Sequence, residues 1–140
     1  VLKTTYIADA TGAFKIEDGK THPIRAQKWQ SHELCKVVGS RSHQSPEIQN
    51  FLDAIPGDTE MLSMGSSLKL CLVAEGKAHY YPRLGPTSEW DTGAAHAVVL
   101  AAGGKVTLLE EGKQGYADSG EPLLYNHKES ILNPYFLVSA

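Results

Sequence analysis

Cysteine is scarce in this chain of 140 residues, which contains two, Cys35 and Cys71. Two cysteines are too few for the disulfide framework of a small secreted domain. The six histidines are scattered along the chain, and neither a Cys-x-x-Cys pair nor a His-Glu-x-x-His motif occurs, so we do not expect a zinc site. Both cysteines fall inside predicted secondary structure, and we expect them to be buried thiols.

Long apolar runs and a strong charge imbalance are also missing. No stretch approaches the ~18 consecutive apolar residues of a membrane-spanning helix, so we expect no integral membrane segment. The net charge of −3 argues against a nucleic-acid polymer as a partner, although a small anion needs only a few local cations. The chain has neither a Gly-x-Ser-x-Gly motif nor the spacing of a P-loop. The sequence therefore supports neither serine-hydrolase chemistry nor phosphate binding by a P-loop.

The composition that is present predicts one folded unit. Hydrophobic residues make up 41% of the chain and charged residues 21%, which suits an ordinary core and argues against disorder. Polar and glycine-rich turns recur at short intervals, so we interpret residues 1–140 as one domain. The chain begins with Val1 and shows no charged segment followed by an apolar run. We therefore expect no signal peptide, and a chain that was processed or is part of a longer protein.

Strands and helices alternate between residues 34 and 109. A hairpin is predicted at 5–8 and 13–16, an edge strand at 24–28, further strands at 34–39, 60–64, 78–82 and 105–109, and extended segments at 123–125 and 135–138. Helices are predicted to begin at Ser45-Pro46, at Gly65-Ser66-Ser67 and at Trp90-Asp91. This order predicts an α/β fold with a mixed, mainly parallel sheet flanked by helices. In such sheets ligands bind where strand ends meet helix starts.

Two polar segments at these positions suit an anion. Ser40-Arg41-Ser42-His43 offers two hydroxyls, a guanidinium and an imidazole directly after a predicted strand. A polar turn is the alternative interpretation, and from spacing alone it is favoured. Gly65-Ser66-Ser67-Leu68-Lys69 offers backbone amides, hydroxyls and a lysine at a helix start. A capping serine and a solvated lysine explain that segment equally well.

Two further residues complete the candidate site. Arg83 follows a predicted strand and could hold a phosphate through its planar fork, although a lone arginine there is more often solvated. Asp91 could cap the predicted helix or serve as an oxygen ligand for Mg²⁺. His96 is interpreted as a packed or surface histidine, not as a metal ligand.

These segments together resemble the carboxyl-terminal half of the 3′(2′),5′-bisphosphate nucleotidases, in the magnesium-dependent, lithium-sensitive phosphatase superfamily that includes the inositol monophosphatases. The resemblance rests on residues 65–76, 81–83 and 90–92, is extended by 40–43, 102–104, 122–123 and 128–134, and runs from about residue 8 to the end. Inositol monophosphatases usually carry small or apolar residues where Lys69 stands. Lys69 and the Ser-Arg-Ser-His segment therefore favour the nucleotidase branch.

The resemblance implies both a fold and an activity. Residues 1–140 would form the carboxyl-terminal domain of the layered inositol-monophosphatase-like fold. The implied reaction removes the 3′-phosphate of adenosine 3′,5′-bisphosphate to give AMP and phosphate, in cytoplasmic sulfate assimilation. Asp91 would bind Mg²⁺, and His43, Ser66, Lys69 and Arg83 would bind the nucleotide and its phosphate.

The sequence departs from the family pattern in two places. The usual order after Trp-Asp is close to Thr-Ala-Ala-Gly-His, whereas this chain has Thr92-Gly93-Ala94-Ala95-His96, so packing of the helix start could differ. The family's other metal ligands, a glutamate and an Asp-Pro-x-Asp-Gly-Thr segment, are absent. The one Asp-Gly pair, Asp18-Gly19, lies in a predicted turn.

These absences lead to three hypotheses. In the first, the chain is inactive alone and needs the missing amino-terminal half of the same protein as its partner. In the second, it is a non-catalytic module that binds a nucleotide or phosphate. In the third, it is half of an inositol-phosphate phosphatase. Under the first hypothesis, some apolar surface that would meet the other half should be exposed.

Overall fold

A computed structural model of the chain describes residues 3–40 and 45–140. The first three strands, β1 (Thr4–Asp9), β2 (Gly12–Glu17) and β3 (Lys20–Ile24), form a small antiparallel sheet in that order. The predicted hairpin is thereby confirmed. The edge strand predicted at 24–28 is wrong, because Asp18 (φ 50°) and Gly19 (φ 76°) close a tight turn and the chain re-enters the sheet at Lys20.

A larger sheet and three helices make up the rest of the described chain. The strands are β4 (Cys35–Gly39), β5 (Thr59–Ser63), β6 (Tyr80–Arg83), β7 (Lys105–Gly112), β8 (Gly115–Pro122) and β9 (Phe136–Ser139). The helices are α1 (Pro46–Asp53), α2 (Leu68–Ala74) and α3 (Glu89–Ala101). None of the helices in the described ranges is both long and apolar enough to cross a lipid bilayer.

The predicted mixed sheet is confirmed, but its parallel part is smaller than expected. The strand order is β5-β4-β6-β9-β7-β8. Strand β4 pairs in parallel with β5 and β6, whereas the other three pairings are antiparallel. The difference arises because β9 inserts between β6 and β7 and runs against both. Strand β7 also returns through a short turn into β8.

Strand β8 was not predicted, and the extended segment expected at 123–125 forms no strand. The sequence of β8, Gly-Tyr-Ala-Asp-Ser-Gly-Glu-Pro, is polar and mostly exposed. It lies at the edge of the sheet, where burial imposes no hydrophobic alternation.

The elements stack in layers around one core. Helices α2 and α3 pack together between the two sheets and share a buried cluster that includes Ala13, Val73, Val99 and Phe136. Helix α1 lies on the opposite face of the large sheet, because Phe51 contacts Tyr80 edge-on while the next residue, Tyr81, contacts Phe136 in the core. The observed layers agree with the predicted α/β class.

Both cysteines are buried, as predicted, with Cys35 fully inaccessible to solvent and Cys71 at 6% exposure. Burial raises the pKa of each thiol to about 11, so both remain protonated near neutral pH.

Candidate functional site

A polar pocket of about 530 Å³ lies at the end of β6, beside the residues that lead into α2 and α3. It is lined by Ser40, Ser66, Ser67, Lys69, Leu70, Tyr81, Arg83, Pro86, Thr87, Trp90, Asp91 and Thr92. Because β4 and β6 are parallel, their carboxyl ends reach the same edge of the sheet, where such pockets form. Four predicted site residues, Ser66, Lys69, Arg83 and Asp91, line this pocket. The fifth, His43, lies outside the described residues.

Lys69 is a buried cation without an acidic partner. Its exposed fraction is 6%, and its Nζ lies 5.5 Å from the centre of the Tyr81 ring. No salt bridge or hydrogen bond of its ammonium is found among the described residues. Burial, with a smaller contribution from the nearby Arg83 charge, lowers the pKa of Lys69. The ammonium is therefore held where an arriving anion would stabilise it.

Arg83 is the last residue of β6 and supplies the second cation. Its Nη2 donates to the carbonyl of Pro86 at 3.1 Å. Its Nε is buried and has no hydrogen-bond partner in the described part of the chain. A buried N–H without an acceptor is costly, so the guanidinium also has capacity for an anion.

Ser66 and Ser67 line the same pocket just before α2. Their hydroxyl oxygens are 3.5 Å apart. Ser66 has φ 67°, in the left-handed region that a non-glycine residue enters at a cost of about 1 kcal/mol. Strained backbone of this kind is found disproportionately at functional sites.

Asp91 is the third residue of α3 and is exposed at the pocket. Its Oδ2 accepts a hydrogen bond from the backbone N–H of Ser88 at 2.8 Å. The N-terminal cap of α3 is Ser88, so the alternative in which Asp91 itself caps the helix is wrong. Asp91 instead takes part in a capping box, in which its side chain accepts from the Ser88 backbone and the Ser88 side chain accepts from the Asp91 backbone. Asp91 also lines the pocket.

The donor set around Asp91 fits a magnesium ion held by one protein carboxylate. Mg²⁺ is commonly bound through one or two carboxylates together with waters and substrate phosphate. Among the residues that the structure describes, no group of three or more His, Cys, Asp and Glu is close enough to form a complete metal site. This chain therefore offers one acidic ligand at the pocket and not a closed cage.

Gly93 was expected to affect how tightly the start of α3 packs. A Cβ atom built at Gly93 meets no heavy atom within 4 Å. The shifted glycine therefore does not provide a close approach, and an alanine would fit there. His96 is buried, as one of its two predicted interpretations has it.

A second pocket, of about 200 Å³, adjoins the first and was not predicted. It shares Ser40, Tyr81, Arg83 and Pro86 with the polar pocket, and its other lining residues are Gly39, Ser45, Ile48, Met61, Pro82, Leu84 and Gly85. Ile48 is the buried residue of α1 and forms part of this second pocket. The Leu84-Gly85-Pro86 run after Arg83 was the available signal, since glycine and proline mark a loop at a strand end.

The sequence also did not predict the buried polar contacts behind Asp91. Thr92 and Asn133 are nearly inaccessible, at 2% and 6% exposure, and are hydrogen-bonded to each other. Because they are 41 positions apart in the chain, no local pattern joins them.

Comparison with known proteins assigns a family. The profile of the inositol monophosphatase family matches residues 2–135. The curated 3'(2'),5'-bisphosphate nucleotidase CysQ of Escherichia coli is 42% identical over 139 residues, which cover 99% of this chain and 51% of the relative. The protein of the same name from Shigella flexneri is 50% identical over 139 residues, which again cover 99% of this chain and 51% of the relative. The chain spans about half the length of these curated relatives.

Solved structures agree with this assignment. The crystal structure of CysQ from Bacteroides thetaiotaomicron, a bacterial member of the inositol monophosphatase family, is 38% identical with a TM-score of 0.77, over 99% of this chain and 54% of that one. SuhB of Mycobacterium tuberculosis, at 21% identity and a TM-score of 0.60, shares the fold over 98% of this chain and 49% of its own.

Proposed function

The chain belongs to the inositol monophosphatase family, and from this premise we propose that it is the carboxyl-terminal part of a magnesium-dependent phosphatase. The proposed reaction converts adenosine 3′,5′-bisphosphate to AMP and phosphate, as part of sulfate assimilation in the cytoplasm. The observation that carries the proposal is the single pocket lined by Ser66, Lys69, Arg83 and Asp91. The names of the CysQ relatives support the choice of substrate.

Lys69 and Arg83 are the proposed phosphate-binding residues. Both cations are at the pocket, and the Arg83 charge contributes to the lowered pKa of Lys69. A phosphate between them would offset that repulsion and would give the unpartnered Nε of Arg83 an acceptor. Ser66 is proposed to donate a further hydrogen bond, and His43 to contact the nucleotide.

The adjoining pocket supports a nucleotide over an inositol phosphate. It is lined by apolar side chains such as Ile48, Met61 and Leu84, and it shares Arg83 with the polar pocket. A nucleotide has a flat, weakly polar base at a short distance from its phosphates. An inositol phosphate carries an oxygen on every ring carbon, so placing its ring against apolar side chains would leave buried hydroxyl groups without partners.

Asp91 is the proposed magnesium ligand of this chain. When bound, Mg²⁺ supplies positive charge to the phosphate oxygens as the phosphoester bond breaks. The Ser88 amide holds one carboxylate oxygen of Asp91, which limits the orientations of the group. One carboxylate alone would hold the ion weakly, since Mg²⁺ loses its water ligands reluctantly.

The remaining carboxylates are proposed to come from an amino-terminal half that this chain lacks. The chain spans about half the length of its curated relatives. Residues 1–140 would be the carboxyl-terminal domain, because the segments 65–76, 81–83 and 90–92 resemble that half of the family. A groove of about 620 Å³ beside α3 contains the exposed Leu100 and Leu124, at 56% and 53% exposure. Exposed apolar surface of this kind is consistent with a face that meets another part of the protein.

A non-catalytic binding module is the second candidate function. It is favoured by the observation that the cations Lys69 and Arg83 line the pocket, whereas Asp91 is the one acidic side chain among its described lining residues. Such a module would bind adenosine 3′,5′-bisphosphate without releasing phosphate, whether or not another half is supplied.

The test combines binding and phosphate release. Calorimetry should show that this chain binds adenosine 3′,5′-bisphosphate more tightly than inositol 1-phosphate, and that Lys69→Ala weakens nucleotide binding whereas Lys77→Ala, an exposed lysine outside the pocket, does not. No phosphate should be released until the amino-terminal half of a CysQ relative is added with Mg²⁺. Tighter binding of inositol 1-phosphate would refute the substrate, and binding without release from the combined halves would favour the module.

A further inference from the structure

We propose that Asn133 is a positioning residue for Asp91, which it controls through the first turn of α3. Asn133 ends the segment 125–133, which lies between β8 and β9 and contacts the start of α3. The inference rests on the proposed role of Asp91 as a metal ligand. It concerns how that carboxylate is held, and Asn133 itself does not line the pocket.

The side chain of Asn133 joins residues on both sides of Asp91. Its Nδ2 lies 3.1 Å from Thr87 Oγ1, 3.1 Å from the Ser88 carbonyl and 3.0 Å from Thr92 Oγ1. Its backbone N–H also donates to the carbonyl of Thr87 at 2.8 Å. Ser88 is the residue whose own N–H donates to Asp91 Oδ2. Asn133 therefore reaches the Asp91 carboxylate through a single intervening residue.

The chemistry of the amide explains why asparagine is needed at position 133. The Ser88 carbonyl can only accept, so the group facing it must be the NH₂ end of the side chain. The Oδ1 end is buried without a hydrogen-bond partner in the described part of the chain. An aspartate of the same shape would place an acceptor against the Ser88 carbonyl and would bury a charge. Asn133→Asp is thus a sharp test with almost no change in volume.

Thr92 extends these contacts within the first turn of α3. Its buried hydroxyl donates to the Glu89 carbonyl at 3.3 Å and accepts from Asn133 and from the Tyr125 hydroxyl, the latter at 3.1 Å. The proton of Tyr125 is used in that bond, so its oxygen accepts from Nδ1 of His96 at 2.7 Å. The hydroxyl of Thr92 is fully satisfied, which fixes the turn that carries Asp91.

The same segment makes a second, more exposed contact with α3. The ammonium of Lys128 lies 2.7 Å from Glu89 Oε1, and the backbone N–H of Asn126 donates to the same carboxylate. The Lys128 side chain is 34% exposed, so solvent screens this ion pair and its contribution is small. Lys128→Ala is therefore a matched control. It removes an exposed contact between the segment 125–133 and α3 and leaves the buried contacts of Asn133 in place.

The experiment measures hydrogen exchange of the Ser88 backbone amide in the ¹⁵N-labelled 140-residue chain. In Asn133→Asp and Asn133→Ala, hydrogen exchange at Ser88 should rise about tenfold or more, because its bond to Asp91 is no longer held in place. In Lys128→Ala the rise should stay below about twofold. Exchange in the β7–β9 pairing, at Val106 and Val138, should be unchanged in all three, which separates a local effect from loss of global stability.

A milder variant covers the case in which Asn133 substitutions prevent folding. Tyr125→Phe removes one hydroxyl and should raise exchange at Ser88 about threefold, since the Thr92 hydroxyl loses one donor but keeps Asn133. Exchange at Ser88 that is unchanged in the Asn133 variants would overturn the proposal. If the Asn133 variants do not fold, unchanged hydrogen exchange at Ser88 in Tyr125→Phe would overturn the proposal instead.

Mn²⁺ alone provides a second readout that does not depend on activity. In the wild-type chain, broadening of amide signals by Mn²⁺ should centre on residues 90–92. The Mn²⁺ concentration that gives half-maximal broadening should rise about fivefold in Asn133→Asp and stay unchanged in Lys128→Ala. An equal rise in both variants would refute positioning by Asn133. No broadening in the wild type would count against Asp91 as a metal ligand, and exchange at Ser88 would then decide on Asn133 by itself.

Discussion

The two sides of the polar pocket are built in opposite ways. On the cation side, Lys69 has no acidic partner and Arg83 keeps a buried N–H without an acceptor, both within the described chain. On the α3 side, Asp91 is exposed, but the residues around it form a dense set of hydrogen bonds that includes Ser88, Thr92 and Asn133.

This contrast shows where binding capacity and where rigidity reside. The cation side leaves donors unused, so an anion that arrives there gains interactions that the protein does not already satisfy. On the α3 side, the hydrogen bonds within the protein hold the first turn of the helix, so the Asp91 carboxylate is oriented before any ligand binds.

The largest effect is expected at Asp91 when this chain is combined with the amino-terminal half of a CysQ relative. Asp91→Asn should lower phosphate release by about 100-fold or more at limiting Mg²⁺, because the amide is a poor ligand for a hard cation. Asp53→Asn, an exposed aspartate at the end of α1, is the matched control and should leave the rate unchanged. Wild-type rates for Asp91→Asn would remove this residue from the metal site and leave the α3 side with a structural role alone.

A smaller effect is expected at Lys69. Lys69→Ala should weaken the binding of adenosine 3′,5′-bisphosphate about tenfold, because one charge-assisted hydrogen bond is lost. The same variant should weaken the binding of inositol 1-phosphate less. Titration calorimetry compares this variant with Lys77→Ala, whose lysine contacts Glu75 outside the pocket. Equal losses for both ligands would mean that Lys69 does not select nucleotides.

Proton uptake should accompany anion binding on the cation side. Burial and Arg83 lower the pKa of Lys69, and a bound phosphate would raise it again. At alkaline pH, below the ordinary lysine pKa of about 10.4, the free chain should therefore take up a fraction of a proton when phosphate binds, and the uptake should shrink towards neutral pH. Calorimetry in buffers with different ionisation enthalpies measures this uptake. Persistence of the uptake in Lys69→Ala would assign it to another group.

The smallest effect is a pH dependence of stability from the α3 side. Burial lowers the pKa of His96, so the folded state favours the neutral imidazole. Its contribution to stability is complete above the unfolded-state pKa of about 6.5 and is lost as the pH falls below that value, because only the unfolded chain then gains the proton. His96→Asn should reduce the fall in Tm between about pH 7.5 and about pH 5.5 by a few degrees.

The control for this prediction is His22, which is exposed on β3. His22→Asn should leave the acid-induced fall in Tm as it is in the wild type. A fall that is unchanged in His96→Asn would show that the burial of this histidine does not affect acid stability.

Local signals predicted most of the secondary structure. The α1 start is an example, since Ser45 accepts a hydrogen bond from the Ile48 N–H and Pro46 is the first helical residue. Such caps are encoded within four residues, so they are visible without a structure. Strand β8 was missed because its edge position removes the hydrophobic pattern, and β3 was misplaced by several residues because its start depends on the turn at Asp18-Gly19.

The candidate site could be predicted as a set of residues but not as an arrangement. Ser66, Lys69, Arg83 and Asp91 all lie at strand ends or helix starts, and the topology brings such positions to one edge of the sheet. The second pocket beside Arg83 could not be predicted, because its walls come from β4, β5, β6 and α1 at once. Asn133 could not be predicted either, since its partners lie more than 40 positions away.

The scarcity of cysteine, of long apolar runs and of net charge, together with the turn and cap signals, already determined an α/β chain without a disulfide scaffold and its candidate residues. Such properties depend on composition and on near neighbours. Only the tertiary structure decided that Lys69 is buried without an acidic partner among the described residues, that β9 makes the sheet largely antiparallel, and that Asn133 lies behind Asp91. These features are set by contacts between residues far apart in the chain, and local propensity carries no information about such contacts.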